Sequence, residues 1–306
     1  MLAPLAMSLF PKRPLHLPRL RTYVPEPSDP KIFWFNSERA DILQDVVRRI
    51  MERYEADDAI ELVIGDAAYH EIRRLENRTD EAGRKGLEYW RGVIRRVGRM
   101  SSEGKHETLR EIAMRMARDV AGNFDPRVYK FAARAVPGLL TGVMNPSNLM
   151  RNVLDSGTRL DELVAAEGPM DKLRSLQRKG TMLLLPTHSS NLDSLAIAWV
   201  LFREALAPVV YGAGKNLFTN PIISFFMHNL GAYRVDRRIR ARLYKDVLKA
   251  YSSIMVERGY HSLFFPGGTR SRSGAIEQHL KLGLAGTGVE AFARNRARGV
   301  NRPVFF

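Results

Sequence analysis

The chain has 306 residues, 45% of them hydrophobic, enough to fill a sizeable core, so disorder is excluded as its default state. It contains no cysteine, which excludes disulfides, thiolate metal sites and a covalent thioester on the enzyme, and fits a reducing cytosol. Lys and Arg number 48 against 33 Asp and Glu, a net charge of +15, which favours polyanionic partners: nucleic acid, anionic lipid headgroups or phosphorylated substrates.

No stretch reaches the roughly 20 apolar residues that a membrane-spanning helix needs. The longest suggestive run, 195–202, is flanked by Asp193, Arg203 and Glu204. Residues 1–10 are apolar but lack the basic residues that precede the apolar core of a secretory signal. Residues 11–30 hold six prolines among many basic residues and read as part of an extended lead-in over 1–36. From 37 to 145 the pattern predicts a helical subdomain. Stretches 40–54, 66–75, 81–97 and 106–121 place apolar residues three and four apart with charges between them. Residues 131–144 are apolar but interrupted by Pro137 and Gly138, and read as a broken segment: a hinge, an interfacial helix or, the preferred reading, a segment packing on the next domain.

Residues 146–306 change texture, to short apolar runs alternating with helical stretches. Strands are predicted at 182–185, 208–211, 232–235, 262–265 and 303–306, and helices at 192–206, 220–228, 238–258 and 282–298. This alternation predicts an α/β domain with a mixed, largely parallel sheet flanked by helices. The last predicted strand ends the chain, so the domain is expected to continue past Phe306.

Directly after the first strand stands Thr187-His188-Ser189-Ser190-Asn191-Leu192-Asp193. On one continuous helix His188 and Asp193 would lie roughly 140° apart and could not meet. Pro186 ends the strand and Ser190 or Asn191 can cap the next helix, so His188 falls in a loop and Asp193 in a first turn. The carboxylate can then hold one ring nitrogen while the other faces a hydroxyl, the arrangement of a general base and its orienting acid. The same spacing also arises by chance in a chain with seven histidines.

A second block, Phe264-Phe265-Pro266-Gly267-Gly268-Thr269-Arg270-Ser271-Arg272, again follows a strand. Gly267 and Gly268 allow a sharp turn that presents N–H groups to an anion, and Arg270 and Arg272 add forked donors for phosphate oxygens; a plain solvated loop is the competing reading. The third block joins Gly212-Ala213-Gly214-Lys215-Asn216-Leu217 to Gly231-Ala232-Tyr233-Arg234-Val235-Asp236-Arg237. Arg234 and Asp236 share a strand face and Arg237 lies on the other, so all three serve one ligand only if the strand ends near Val235. The run Arg237, Arg238, Arg240 and Arg242 reads as a helix start and solvated face that also attracts acidic headgroups.

Together these blocks resemble the glycerolipid acyltransferase family, which includes glycerol-3-phosphate and lysophosphatidate acyltransferases. His188 to Asp193 matches the family's His-x4-Asp block, Gly231 to Arg237 its Gly-x5-Arg element, and Pro266 to Ser271 its Pro-Glu-Gly-Thr-Arg-Ser loop. The resemblance covers 180–306. Residues 213–217 with Gly231-Ala232-Tyr233 look more like the glycerol-3-phosphate enzymes. Gly267 replaces the family glutamate, as in the soluble plastid-type enzymes, and the family's Val-Pro element is expected after Phe306.

The resemblance implies transfer of a fatty acyl group from acyl-CoA or acyl carrier protein to the sn-1 hydroxyl of glycerol 3-phosphate, a step of phospholipid biosynthesis. His188 would take the hydroxyl proton and Asp193 would hold the imidazole, with no acyl-enzyme. Arg270, Arg272, Gly267, Gly268 and Lys215 would bind the phosphate, with Arg234 and Arg237 as further substrate or headgroup contacts. No metal or redox cofactor is required. The expected setting is the cytoplasm, peripheral on the anionic inner face of the cell membrane. Lysophosphatidate is the alternative acceptor, and a non-catalytic basic protein binding membrane or nucleic acid the alternative of another class. Nucleic acid is not expected as a partner, because the aromatics fall in predicted core elements.

Overall fold

The computed structural model describes residues 23–144, 164–190, 192–268, 270–271 and 280–306. A 3-10 turn, Lys31–Trp34, leads into α1 (Phe35–Arg53), α2 (Asp57–Leu75), α3 (Glu81–Arg96), α4 (Ser102–Val120) and α5 (Pro126–Met144). There follow α6 (Met170–Lys179), β1 (Thr181–Leu184), α7 (Asp193–Arg203), β2 (Val210–Gly214), a 3-10 turn (Lys215–Thr219) and α8 (Pro221–Asn229). The described residues close with β3 (Ala232–Val235), α9 (Arg242–Glu257), β4 (Ser262–Leu263), α10 (Gly286–Ala297) and β5 (Val304–Phe305).

The strands form one five-stranded parallel sheet in the order β3-β2-β4-β1-β5. Alternate residues of neighbouring strands serve opposite faces, as the two-residue period requires. Leu183 and Phe264 pack with Val256 and Ala291 of α9 and α10, whereas Leu184, Leu263 and Phe265 pack with Leu201 and Ile197 of α7. Both faces are thus covered, the usual condition of a parallel sheet.

The largest core lies between the N-terminal helices and α9. In α1, Ile42, Leu43, Val46, Val47 and Ile50 recur three and four residues apart, and in α4 Leu109, Ile112, Ala113, Met116, Ala117 and Val120 do the same. These stripes meet Leu243, Val247, Ala250, Tyr251 and Ile254 of α9, with Val210 and Tyr233 from the sheet. Ser101 caps α4 by accepting the Gly104 N–H at 3.2 Å, which satisfies one of the orphan donors of the first turn. Across the same interface Arg49 donates to both oxygens of the buried Glu257 at 2.7 and 2.9 Å, and Arg298 adds a third donor at 2.7 Å.

Several elements depart from the sequence expectation. Residues 31–36, within the expected lead-in, already carry buried Ile32, Phe33 and Phe35. The strand expected to stop at Tyr211 continues to Gly214, because a bare glycine is what fits against the Tyr233 ring: a Cβ on Gly212 would sit 3.1 Å from it. The segment read as broken at Pro137 is one continuous helix. Burial of Ala132, Leu140 and Thr141 along its inner side outweighs the hydrogen bond that the proline removes. Helix α9 starts at Arg242 and not at 238, since the Asp236 carboxylate takes the Arg238 N–H at 3.0 Å and turns the chain first.

Candidate active site

In a parallel sheet all strands end at one edge, and ligands gather there. Each motif singled out in the sequence issues from that edge: His188 after β1, Lys215 after β2, Asp236 and Arg237 after β3, and the Pro266 loop after β4. Because β1 and β4 are neighbours, the His188 and Pro266 loops are brought side by side.

The His188 loop folds around one carboxylate oxygen. Asp193 Oδ2 accepts from His188 Nδ1 at 2.8 Å, from the Ser189 N–H at 2.7 Å and from the Ser190 N–H at 2.8 Å. The Ser190 hydroxyl accepts the Leu192 N–H at 3.1 Å and tightens the turn into α7. Ser190 is therefore a turn residue and not the expected helix cap, since Leu192 occupies the N-cap of α7 without a side-chain hydrogen bond; Asn191, the other candidate from the sequence, lies outside the described residues. Burial alone would push the Asp193 carboxyl up; the Ser190 N–H, the His188 ring and the Ser189 N–H outweigh it and hold the group below the ordinary carboxylate range. An ionised Asp193 is acceptor only, so the proton of the neutral imidazole sits on Nδ1 and the lone pair on Nε2. That nitrogen is the one able to take a proton from a substrate.

The neighbouring loop locks this arrangement. The Ser271 N–H donates to the His188 carbonyl at 2.7 Å. The Phe265 ring stacks on the imidazole with centroids 4.1 Å apart and planes inclined by 25°. After Phe265 the chain reverses through Pro266 and Gly267, with the Gly268 N–H returning to the Phe265 carbonyl at 3.1 Å and the Lys281 N–H donating to the Pro266 carbonyl at 2.7 Å. Gly268 has φ +71°, and a Cβ there would meet the Lys281 side chain at 2.8 Å, so both conformation and space select glycine. Arg270 is exposed, while Thr269 and Arg272 lie outside the described residues.

The third block forms a separate group of charges. Lys215 Nζ lies 3.1 Å from Asp119 Oδ2 on α4 and 3.8 Å from Asp236 Oδ2. Arg234 approaches Asp119 at 4.0 Å and covers the Phe218 ring. Strand β3 ends at Val235, so Asp236 turns inward and is buried while Arg237 faces solvent. Asp236 Oδ2 has no hydrogen-bond donor among the described residues; Lys215 is the cation that compensates it. Lys215 and Arg234 are therefore engaged by protein carboxylates, whereas Arg237 and Arg270 are open to solvent. Phe265, Ser271, Asp119 and Lys281 take part in these contacts without having been singled out by the sequence reading. Phe265 and Ser271 belong to a quoted block, but nothing in the sequence marks Asp119 as a neighbour of Lys215.

Residues 170–299 match the acyltransferase family. Over 136 residues, 44% of this chain, the sequence is 32% identical to a glycerol-3-phosphate acyltransferase of Haemophilus ducreyi, of which the match covers 16%. It is 31% identical to the enzyme of the same name from Aeromonas hydrophila over the same length. Against that of Pseudomonas aeruginosa it is 25% identical over 190 residues, 62% of this chain and 20% of the relative. The chain thus spans a fifth or less of the length of the curated relatives that it matches. The ordered blocks, their convergence on one sheet edge and these similarities agree: residues 170–299 are similar to the acyltransferase family, and to proteins named glycerol-3-phosphate acyltransferase in particular.

Proposed function

We propose that the chain transfers a fatty acyl group from an acyl thioester, acyl-CoA or acyl carrier protein, to the sn-1 hydroxyl of glycerol 3-phosphate. The observation that carries this reading is the His188–Asp193 pair, whose charge and hydrogen bonding leave Nε2 as the free base. Nε2 takes the hydroxyl proton as the oxygen attacks the thioester carbonyl. The C–S bond then breaks, and the imidazolium returns the proton to the departing thiolate. The exchange of one ester for another balances without a redox or metal cofactor.

Phe265 keeps the ring plane fixed while Asp193 fixes its tautomer, so the base is oriented before substrate arrives. Arg270, with Arg272 and the N–H of Gly267, takes the glycerol phosphate beside it; the Gly268 N–H, expected from the sequence to join them, is held by the Phe265 carbonyl, and Gly268 serves the turn instead. Arg237 adds positive potential at the same edge, as do Lys215 and Arg234 from their places around Asp119. We place the protein in the cytoplasm, peripheral on the inner face of the membrane. No helix among the described residues is long and apolar enough to cross a membrane.

Thiol release from palmitoyl-CoA, measured with glycerol 3-phosphate or lysophosphatidate as acceptor, tests the reading. Release that requires glycerol 3-phosphate and disappears in His188→Ala is expected. Release driven by lysophosphatidate alone would transfer the assignment to that acceptor, and release with neither would remove it.

A further inference from the structure

We propose that the face formed by α5, the turn Lys215–Thr219 and α8 seats the protein on an anionic phospholipid bilayer, with the catalytic pair opening beside it. The inference rests on the acyl-transfer reading for its chemistry and on the surface itself for its position. Phe131 and Leu139 of α5 are 61% and 56% exposed, and Leu217, Ile223 and Phe225 of the adjoining turn and helix are 41–45% exposed. The two helices form one surface, since the Phe131 and Phe226 rings stack at 6.3 Å with planes 13° apart. Such a cluster of exposed large apolar groups marks an interaction site and not an ordinary solvated face.

Charge identifies the partner. Neither 126–144 nor 211–235 contains an Asp or Glu, whereas Lys130 and Arg134 stand exposed beside Phe131 on the outer side of α5. The solvated sides of α3 and α4 are built differently, with alternating charges paired as Lys85–Glu81, Arg110–Glu107 and Arg115–Glu111. Aromatic and aliphatic side chains among unopposed cations are the composition that enters the headgroup layer of an anionic membrane.

Position links this face to the reaction. Helix α5 packs against α7 through Leu140 and Trp199, with half-buried Val136, Leu192 and Leu195 around them. Leu192 and Leu195 flank Asp193, the first residue of α7. A half-buried apolar seam therefore runs from the exposed face to the catalytic carboxylate.

The test separates binding from turnover. The 306-residue chain is sedimented with phosphatidylcholine vesicles, with or without phosphatidylglycerol, while thiol release from a short-chain, water-soluble acyl-CoA is followed without vesicles. Binding that requires phosphatidylglycerol and weakens with salt is expected. Phe131→Asp and Phe225→Asp should each lower it roughly tenfold or more with short-chain turnover unchanged, and Lys130→Glu with Arg134→Glu should remove the preference for phosphatidylglycerol. As a check that needs no disruptive change, Phe225→Trp should add fluorescence that brominated phospholipid quenches. Wild-type affinity in the aspartate variants, or no added quenching, would overturn the proposal. So would a wild-type dimer that these substitutions dissociate, with no vesicle binding. Loss of turnover with vesicle binding intact would instead count against the acyl-transfer reading and leave the lipid face in place.

Discussion

The N-terminal helices and the C-terminal edge of the sheet are built to opposite standards. Between α1, α4 and α9 the side chains of Ile42, Val46, Leu109, Ile112 and Val247 are wholly buried, and even the charged Glu257 is shielded there with its arginine partners. At the sheet edge His188 and Asp193 remain partly exposed, and α7 behind them is apolar yet mostly half-buried. The edge is held by a few directed contacts: three donors on one carboxylate oxygen, one stacked ring and one backbone bond between loops. Non-directional burial sets stability in the first region, whereas directed bonds set geometry in the second. Substitutions should therefore separate cleanly into those that cost stability and those that cost turnover.

His188→Ala is the most severe test, with turnover expected to fall roughly 100- to 10,000-fold while the melting temperature stays near that of the parent. A large drop in melting temperature would show that the edge also carries stability. The converse is Ile112→Ala, which opens a cavity in the largest core and should cost about 2–5 kcal/mol in urea unfolding with kcat of the folded protein unchanged.

A third test uses pH. Burial and the nearby Arg302 push the His261 imidazole down to about 4, and its Nδ1 accepts the Met182 N–H at 3.0 Å. The folded pKa lies below the unfolded one, so the unfolded chain binds more protons between them. Stability present above pH ~6.5 should be lost, on the order of 3 kcal/mol, as pH falls toward 4. His261→Asn keeps an acceptor for Met182 but does not titrate, so its urea midpoint should depend less on pH across that window; an unchanged slope would refute the assignment. Smallest is Ser190→Ala, which leaves the Leu192 N–H without its side-chain acceptor. It should cost about 0.5–1.5 kcal/mol and lower kcat more than it raises KM.

Much of this architecture is legible in the sequence because it is local. The stripes of α1 and α4 follow from three-and-four spacing, and the meeting of His188 with Asp193 follows from Pro186 and Ser190, which together require a turn between them. What is not legible depends on distant partners. Arg49 and Glu257 stand 208 residues apart, and Asp119 meets Lys215 across a gap of 96; no local pattern announces either pair. Pro137 misleads for the same reason, since its local signal is a break while packing on α7 and α8 carries the helix through. The Phe265 ring reads as one more strand apolar residue until the order of β4 and β1 places it on His188.

That order also has a consequence in time. The donor and acceptor that join β1 to the start of β4, Met182 and His261, are 79 residues apart, and β5 pairs on the other side of β1 from still further along the chain. Closing such long loops is slow compared with forming helices. The turn that binds His188 to Asp193 needs only a handful of consecutive residues, but the ring and backbone contacts from the Pro266 loop must wait for the strands to pair. A refolding chain should thus acquire its helices early and its working edge last, and the lag between helix signal and first turnover would measure how long β1 waits for β4.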